Sequence, residues 1–468
     1  MSISLPPIAA RTSPGAIWRL TWPQMLMMYL HFCIGFTDVW VAGQLGASVQ
    51  AAFGVVMQCV IFLMLVANAL SSGGVAAVSQ SIGAGRHRRA RRYIYMIVMG
   101  CCGIGIGISL LGHALQGGLF TLLMVPETIL PITREYWSVS LLTLPANYVF
   151  ICTGVMFRAT RHVFPPLGVT ALVALTNLVG DLGFGLGYFG LPNYGYMGIA
   201  WTTFGCVLLG ALTNCLLLSR LGYLARIDLP PWRWARRAMR YLFKVALPAG
   251  ASQIVWNTGY LMLFAIVASL PMDSVSALAG LTAGMRVESL IFLPAMAFNM
   301  TASVLVGNML GARNKAEAQR LALIISGSGC LFISVFALCL WPFVTDIAAL
   351  LSSDPAAQIQ TLSYLRFNLV STPFTTASMI LGGVMTGAGA TRYNLMIYGS
   401  SFWLVRLPLA WLFGHILWQD ASGVFMAMLV SQVVQSLIMF YVVLKRDWTR
   451  FAMHSQCSPL PTKGTHHA

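Results

Sequence analysis

The chain has 468 residues, 58% hydrophobic and only 9% charged, with a formal net charge of +16. Soluble domains carry about a quarter charged residues, so a soluble globular protein is excluded. The apolar runs reach the roughly 20 residues that cross a bilayer as helix, not the roughly ten alternating residues of a β-barrel strand.

Taken in order, residues 1–16 form a short tail with Pro and one Arg, which does not read as a cleaved signal peptide. Twelve spans follow, at about 17–44, 48–80, 92–118, 129–156, 163–190, 196–219, 241–270, 274–306, 318–345, 357–387, 393–417 and 422–445. Residues 225–240 (RIDLPPWRWARRAMR from 226) are basic and Trp-containing and read as an amphipathic linker on the membrane surface. A tail, 447–468, closes the chain. The fold class is therefore an all-α polytopic membrane protein.

Charge sets the orientation. With the N-terminus inside, 24 of the 28 Lys and Arg fall on the cytoplasmic side, only Arg134 falls outside, and Arg286, Arg366 and Arg406 fall within spans. The positive-inside rule then puts both termini in the cytoplasm of an inner-membrane protein. The same bias accounts for the +16 without a nucleic-acid partner. Nine of the ten cysteines sit in apolar segments without metal-site or CxxC spacing, so no metal or cofactor is expected. GIGIGIS (103–109) lies inside a span and reads as close helix packing, not as a nucleotide loop.

The chain is duplicated. IGAGRHRRARR (82–92) matches LGARNKAEAQR (310–320), GVMFRATRHVFPP (154–166) matches GVMTGAGATRYN (383–394), and LTWPQ with Pro23 matches VALPAG with Pro248. The offsets are near constant, at 225 to 231. Six spans per repeat is an even number, so the expectation is two six-helix lobes, 17–224 and 241–446, related by a pseudo-two-fold along the membrane normal. Such repeats bind substrate between or within the lobes and alternate access by rocking.

Three acids lie deep in spans: Asp38, Asp181 and Glu288. An Asp at the centre of a spanning helix costs about 2.5–3.5 kcal/mol on insertion scales, so such groups face a cavity or ion path. Asp38, in FTDVWVAGQLG (36–46), and Asp181 stand at matched depth in the first repeat. Asn177 lies one turn before Asp181, and His31 lies seven residues before Asp38 on its face. The second repeat has Leu263 or Phe264 at the place of Asp38 and residues 410–412 at the place of Asp181, without an acid. A structural requirement of the fold would recur in both halves, so the pair reads as functional. Glu288 is two residues from Arg286 and faces elsewhere; Arg406 across the lobe, or a cationic substrate, is its candidate partner. Met28, with other soft apolar residues of the first span, is a candidate pocket residue.

These segments, with TNLVGDLGFGLGYFGLPNYGYMGIAW (176–201), LVGNMLGARNKAEAQR and MTGAGATR, resemble the multidrug and toxic compound extrusion family over roughly residues 15–450. The resemblance implies a twelve-helix, two-lobe exporter driven by H+ or Na+. In the DinF-like branch an Asp in helix 1 and an Asn-x-x-x-Asp in helix 5 surround a proton-binding chamber; these are Asp38, Asn177 and Asp181 here, with Pro23 at the bending position of helix 1. The NorM-like branch instead has acids in helices 7 and 10, where this chain has Trp256 and a residue near Thr375.

The resulting expectation is a monomeric, proton-coupled antiporter that exports organic cationic or amphipathic compounds, with bilayer and small-molecule substrate as its partners. Na+ at the Asp38/Asp181 site is the alternative ion. A lipid-linked glycan flippase of the same superfamily is the alternative function. An enzyme is not expected, because no catalytic cluster is present.

Overall fold

The computed structural model describes residues 13–224, 230–271, 273–352 and 354–453. Among the described residues, twelve helices are long and apolar enough to cross a membrane: α1 Pro14–Gln44, α2 Ala47–Gly83, α3 His87–Leu122, α4 Leu130–Ala159, α5 Phe164–Gly185, α6 Tyr196–Arg220, α7 Trp232–Ala268, α8 Ser274–Gly311, α9 Lys315–Leu351, α10 Pro355–Ala388, α11 Thr391–Leu417 and α12 Ala421–Lys445. Helices are required because lipid offers no partner for a free backbone N–H or C=O. Each span read from sequence falls on one of these helices, but 163–190 overruns α5 by five residues past Gly185, 241–270 overruns α7 by two, and the linker differs. Residues 232–240 are the first turns of α7 and not a separate surface segment. Residues 225–229 lie outside the described residues.

The two lobes repeat each other down to the backbone. Four connections carry a residue with positive φ at matching places: Gly46 and Asp273, Gly85 and Arg313, Arg161 and Gly389, Gly187 and Gln419. At the second of these, Arg86 N bonds Ser81 O and Asn314 N bonds Met309 O, both at 2.9 Å and 228 residues apart. These are the backbone bonds of a Schellman helix end. Pro23 and Pro248 lie in α1 and α7, and Pro145 and Pro373 in α4 and α10. Pro23 is buried, and α1 runs unbroken across it.

The lobes meet through α1, α2, α7, α8 and α10. The crossing of α2 and α8 is the tightest point. A Cβ on Gly83 would stand 1.9 Å from Asn308 O, and one on Gly311 would stand 2.1 Å from Gln80 O. Small residues are what let two backbones approach this closely in a membrane. Gln24 Nε2 of α1 donates to Thr301 Oγ1 at 2.9 Å, and Thr21 Oγ1 meets the same hydroxyl at 3.0 Å. All of these contacts lie at the end carrying the Lys and Arg clusters, so the lobes are closed against each other there.

Candidate functional site

Helix α5 delivers two of the first-lobe residues. Its regular part ends at Gly180, and Asp181–Gly185 form a π-helical turn. Such turns are rare and recur at functional sites. The turn fits because Gly198 of α6 passes beside it; a Cβ there would stand 2.2 Å from Phe184 O. The second lobe repeats the device. α11 holds a π turn at Leu412–Leu417, and a Cβ on Gly423 would stand 2.5 Å from Phe413 O. The backbone irregularity therefore belongs to the fold, while the acid is confined to the first lobe.

Asp38, Asn177 and Asp181 come together from α1 and α5. They are 3%, 1% and 0% exposed. Asn177 Nδ2 donates to Asp38 Oδ1 at 3.3 Å. The Asp181 side chain adjoins both Asp38 and Asn177, yet both of its carboxyl oxygens and Asn177 Oδ1 are buried without a hydrogen-bond partner. Among the described residues no Lys, Arg or His makes an ion pair with either carboxyl. Two adjoining buried carboxyls cannot both be charged without a cation between them; otherwise one of them holds a proton. The orphaned oxygens are a hard-oxygen set suited to either.

Two residues at this site carried no signal in the sequence. Tyr136 of α4, packed edge-on against Phe53 at 5.3 Å, is buried in the neighbourhood of both carboxyls. Thr202 of α6 touches Gly180, and its hydroxyl is buried without a partner. Both come from helices whose register against α5 is a tertiary fact that no spacing rule reports. His31 is not part of the cluster. Its Nδ1 sits 2.7 Å from Met27 O and its ring 6.0 Å from Phe150. Met28 is half-buried and makes no polar contact.

The second lobe holds a different polar centre. Glu288 of α8 is 6% exposed and accepts from the Tyr364 hydroxyl of α10. Asn368, Ser371 and Gln432 line a small cavity beside it. Arg406 of α11 is 1% exposed. Its Nε donates to Ser431 Oγ at 2.8 Å, and its guanidinium lies 4.3 Å from the Phe402 ring centre, 5.6 Å from Trp256 and 5.9 Å from Tyr260. Of the two candidate partners of Glu288, Arg406 makes no direct ion pair with it among the described residues. Each group has its own partners; Arg406 Nη1 is buried without an acceptor, and three aromatic rings stand around the guanidinium. Trp256, noted in the sequence for lacking an acid, is one wall of that cage. Arg286 is exposed and takes no part, as the two-residue spacing from Glu288 requires.

Comparison with known proteins places this architecture. The MatE family model matches residues 23–182 and 248–412, the two repeats in turn. The chain is 26% identical to the probable multidrug resistance protein YpnP of Bacillus subtilis, covering 86% of this chain and 88% of that one. It is 24% identical to a probable multidrug resistance protein NorM of Thermotoga maritima, covering 93% of each. Its fold matches the crystal structure of the Vibrio cholerae MATE transporter VcmN with a TM-score of 0.83 at 22% identity, over 91% of this chain and 95% of that one. The chain belongs to the MatE family of multi-pass membrane transporters, which act on small-molecule substrates and are not enzymes.

Proposed function

We propose that this protein is a proton-coupled antiporter that exports organic, cationic or amphipathic compounds from the cytoplasm, with Asp38, Asn177 and Asp181 as its ion-coupling site. The observation that carries the reading is the adjoining carboxyl pair in the first lobe, with both Asp181 oxygens unpartnered and Asp38 held only by Asn177, set against a second lobe that repeats the π turn but not the acid. With both termini cytoplasmic, as the Lys and Arg distribution favours, the end at which the lobes are closed faces inward. A proton entering from outside joins the pair while substrate leaves. The lobes then rock, the proton departs inward, and substrate rebinds. Competition between a proton and an organic cation for the same carboxylates makes the two ligands displace one another.

This acid set supports the DinF-like arrangement over the NorM-like one. Na+ at the same oxygens is the second reading, favoured by the number of unpartnered oxygen atoms there. The flippase alternative calls for a cationic cavity. Of the three embedded arginines, Arg286 and Arg366 are exposed and Arg406 is held in its aromatic cage, which weakens it. The names of the relatives as multidrug resistance proteins support export of drug-like compounds. The test is efflux of a fluorescent organic cation from cells carrying Asp38→Asn or Asp181→Asn. Both variants are expected to reach the membrane and lose efflux. Wild-type efflux in both would end the proposal.

A further inference from the structure

At the closed end, one buried side chain ties three elements of the second lobe to the first. Gln80 of α2 is 2% exposed. Its Nε2 donates to Gly387 O of α10 at 2.8 Å and to the Tyr241 hydroxyl of α7 at 3.3 Å. Its Oε1 accepts from Met453 N at 2.8 Å. Met453 belongs to the segment that follows α12. That segment turns at Trp448–Phe451, buries Trp448, and donates from Trp448 Nε1 to Val443 O at 3.1 Å. Phe451 packs on Tyr393 at 5.7 Å and lies 5.9 Å from Lys244 Nζ. The segment is therefore anchored on the second lobe and reaches across to the first at its end. There the Met453 sulfur also meets Arg89 and the Tyr93 hydroxyl of α3.

The repeat supplies a control. Gln80 corresponds to Asn308, 228 residues on, whose Nδ2 donates to Val304 O of its own helix at 2.8 Å. Asn308 Oδ1 has no partner. After α6, the described residues run to Leu224, with Tyr223 N donating to Leu218 O at 2.9 Å in the helix-end turn. At this pair of positions the cross-lobe bonds belong to Gln80 alone and are not repeated by Asn308.

We propose that Gln80 and residues 448–453 form a latch that holds the lobes together on the cytoplasmic side, and that releasing it is a required step of the transport cycle. Rigid-body rocking separates Gln80 from Gly387, Tyr241 and Met453 at once, so these bonds bias the balance between the two facing states. Gln80 acts by positioning the lobes and not by touching substrate. The proposal rests on the rocking transport read above.

The test places nitroxide labels at Arg220→Cys on α6 and Arg392→Cys on α11, both exposed, in a chain whose native cysteines are replaced by alanine. The distance distribution is then recorded with and without a fluorescent organic cation. Gln80→Ala removes the hub. Met453→Pro removes only the Met453 N–H and its sulfur contacts, and Ala452 already has φ −61° and ψ 149°, which suits a residue before proline. Met453→Ala drops the sulfur and keeps the N–H. Gln80→Ala and Met453→Pro are expected to add a longer-distance population, raising the open-to-closed ratio about tenfold, with the double variant no larger than the stronger single. Met453→Ala is expected to do so less. A merely structural strut would lower thermal stability and leave the distribution unchanged, and that result overturns the latch. A wild-type distribution that no ligand moves overturns the rocking reading and the latch with it. A wild type that moves while both variants match it overturns the latch alone.

Discussion

Replacing Gly83 with alanine tests the lobe crossing most sharply. The added Cβ would lie 1.9 Å from Asn308 O, where real contacts stop at 3.0 Å, so the two backbones must part by about 1.1 Å at a point with no flexible side chain to yield. Overpacking of this kind costs about 1–3 kcal/mol. Because the clash exists only while the lobes are closed at this end, the whole cost falls on one facing state. It shifts the equilibrium about 5- to 150-fold toward the other. Gly311→Ala, 2.1 Å from Gln80 O, is the pseudo-symmetric copy and is expected to act alike. Gly103→Ala on α3 has nothing within 4 Å and is the control. The Arg220–Arg392 label distance reads the population directly. A distribution in Gly83→Ala indistinguishable from wild type, or an equal change in Gly103→Ala, would refute the reasoning.

Three further outcomes follow from the geometry. Thr301→Val removes the cross-lobe bonds of Gln24 Nε2 and Thr21 Oγ1, which keep Leu20 O and Ile17 O as acceptors; it is expected to weaken the closed state by about 0.5–1.5 kcal/mol, visible in the same label distance. Gly198→Ala forces a Cβ against the π turn that carries Asp181, whereas Gly423→Ala meets the acid-free turn of the second lobe. Both are expected to lower thermal stability in detergent, and only Gly198→Ala to alter the proton dependence of efflux beyond what lost protein explains. Arg406→Ala empties a buried three-ring cage and is expected to cost about 2–5 kcal/mol of stability by thermal unfolding, against about 0.5 kcal/mol or less for the exposed Arg286→Ala.

Much of this molecule was legible in the chain because a bilayer enforces simple rules. Long apolar runs must be helices, and a duplicated chain must repeat its turns. The matched segments IGAGR and LGARN signalled the repeat; what they do, placing Gly83 and Gly311 at the α2–α8 crossing, is a contact between residues more than 200 positions apart that periodicity cannot report. The meeting of Asp38, Asn177 and Asp181 could be anticipated from depth and helix face. Thr202, Tyr136 and the π turn could not, since each depends on how α4 and α6 pack against α5. Arg406 was expected to seek a carboxylate, as buried charges often do. It found aromatic faces instead, because Trp256, Tyr260 and Phe402 come from α7 and α11, whose juxtaposition leaves no mark in local sequence. The start of α7 at Trp232 was read as a linker because a basic surface helix and the basic first turns of a spanning helix have the same composition.

The central claim is that Asp38 and Asp181 hold an ion that substrate must displace. The most direct test adds a transported organic cation to the purified protein in weakly buffered, Na+-free solution and follows the pH. The wild type is expected to release about one proton per molecule from the coupled carboxyl pair, and Asp38→Asn and Asp181→Asn to bind without release. Equal release from the variants, or binding to the wild type with no release at all, would contradict the account.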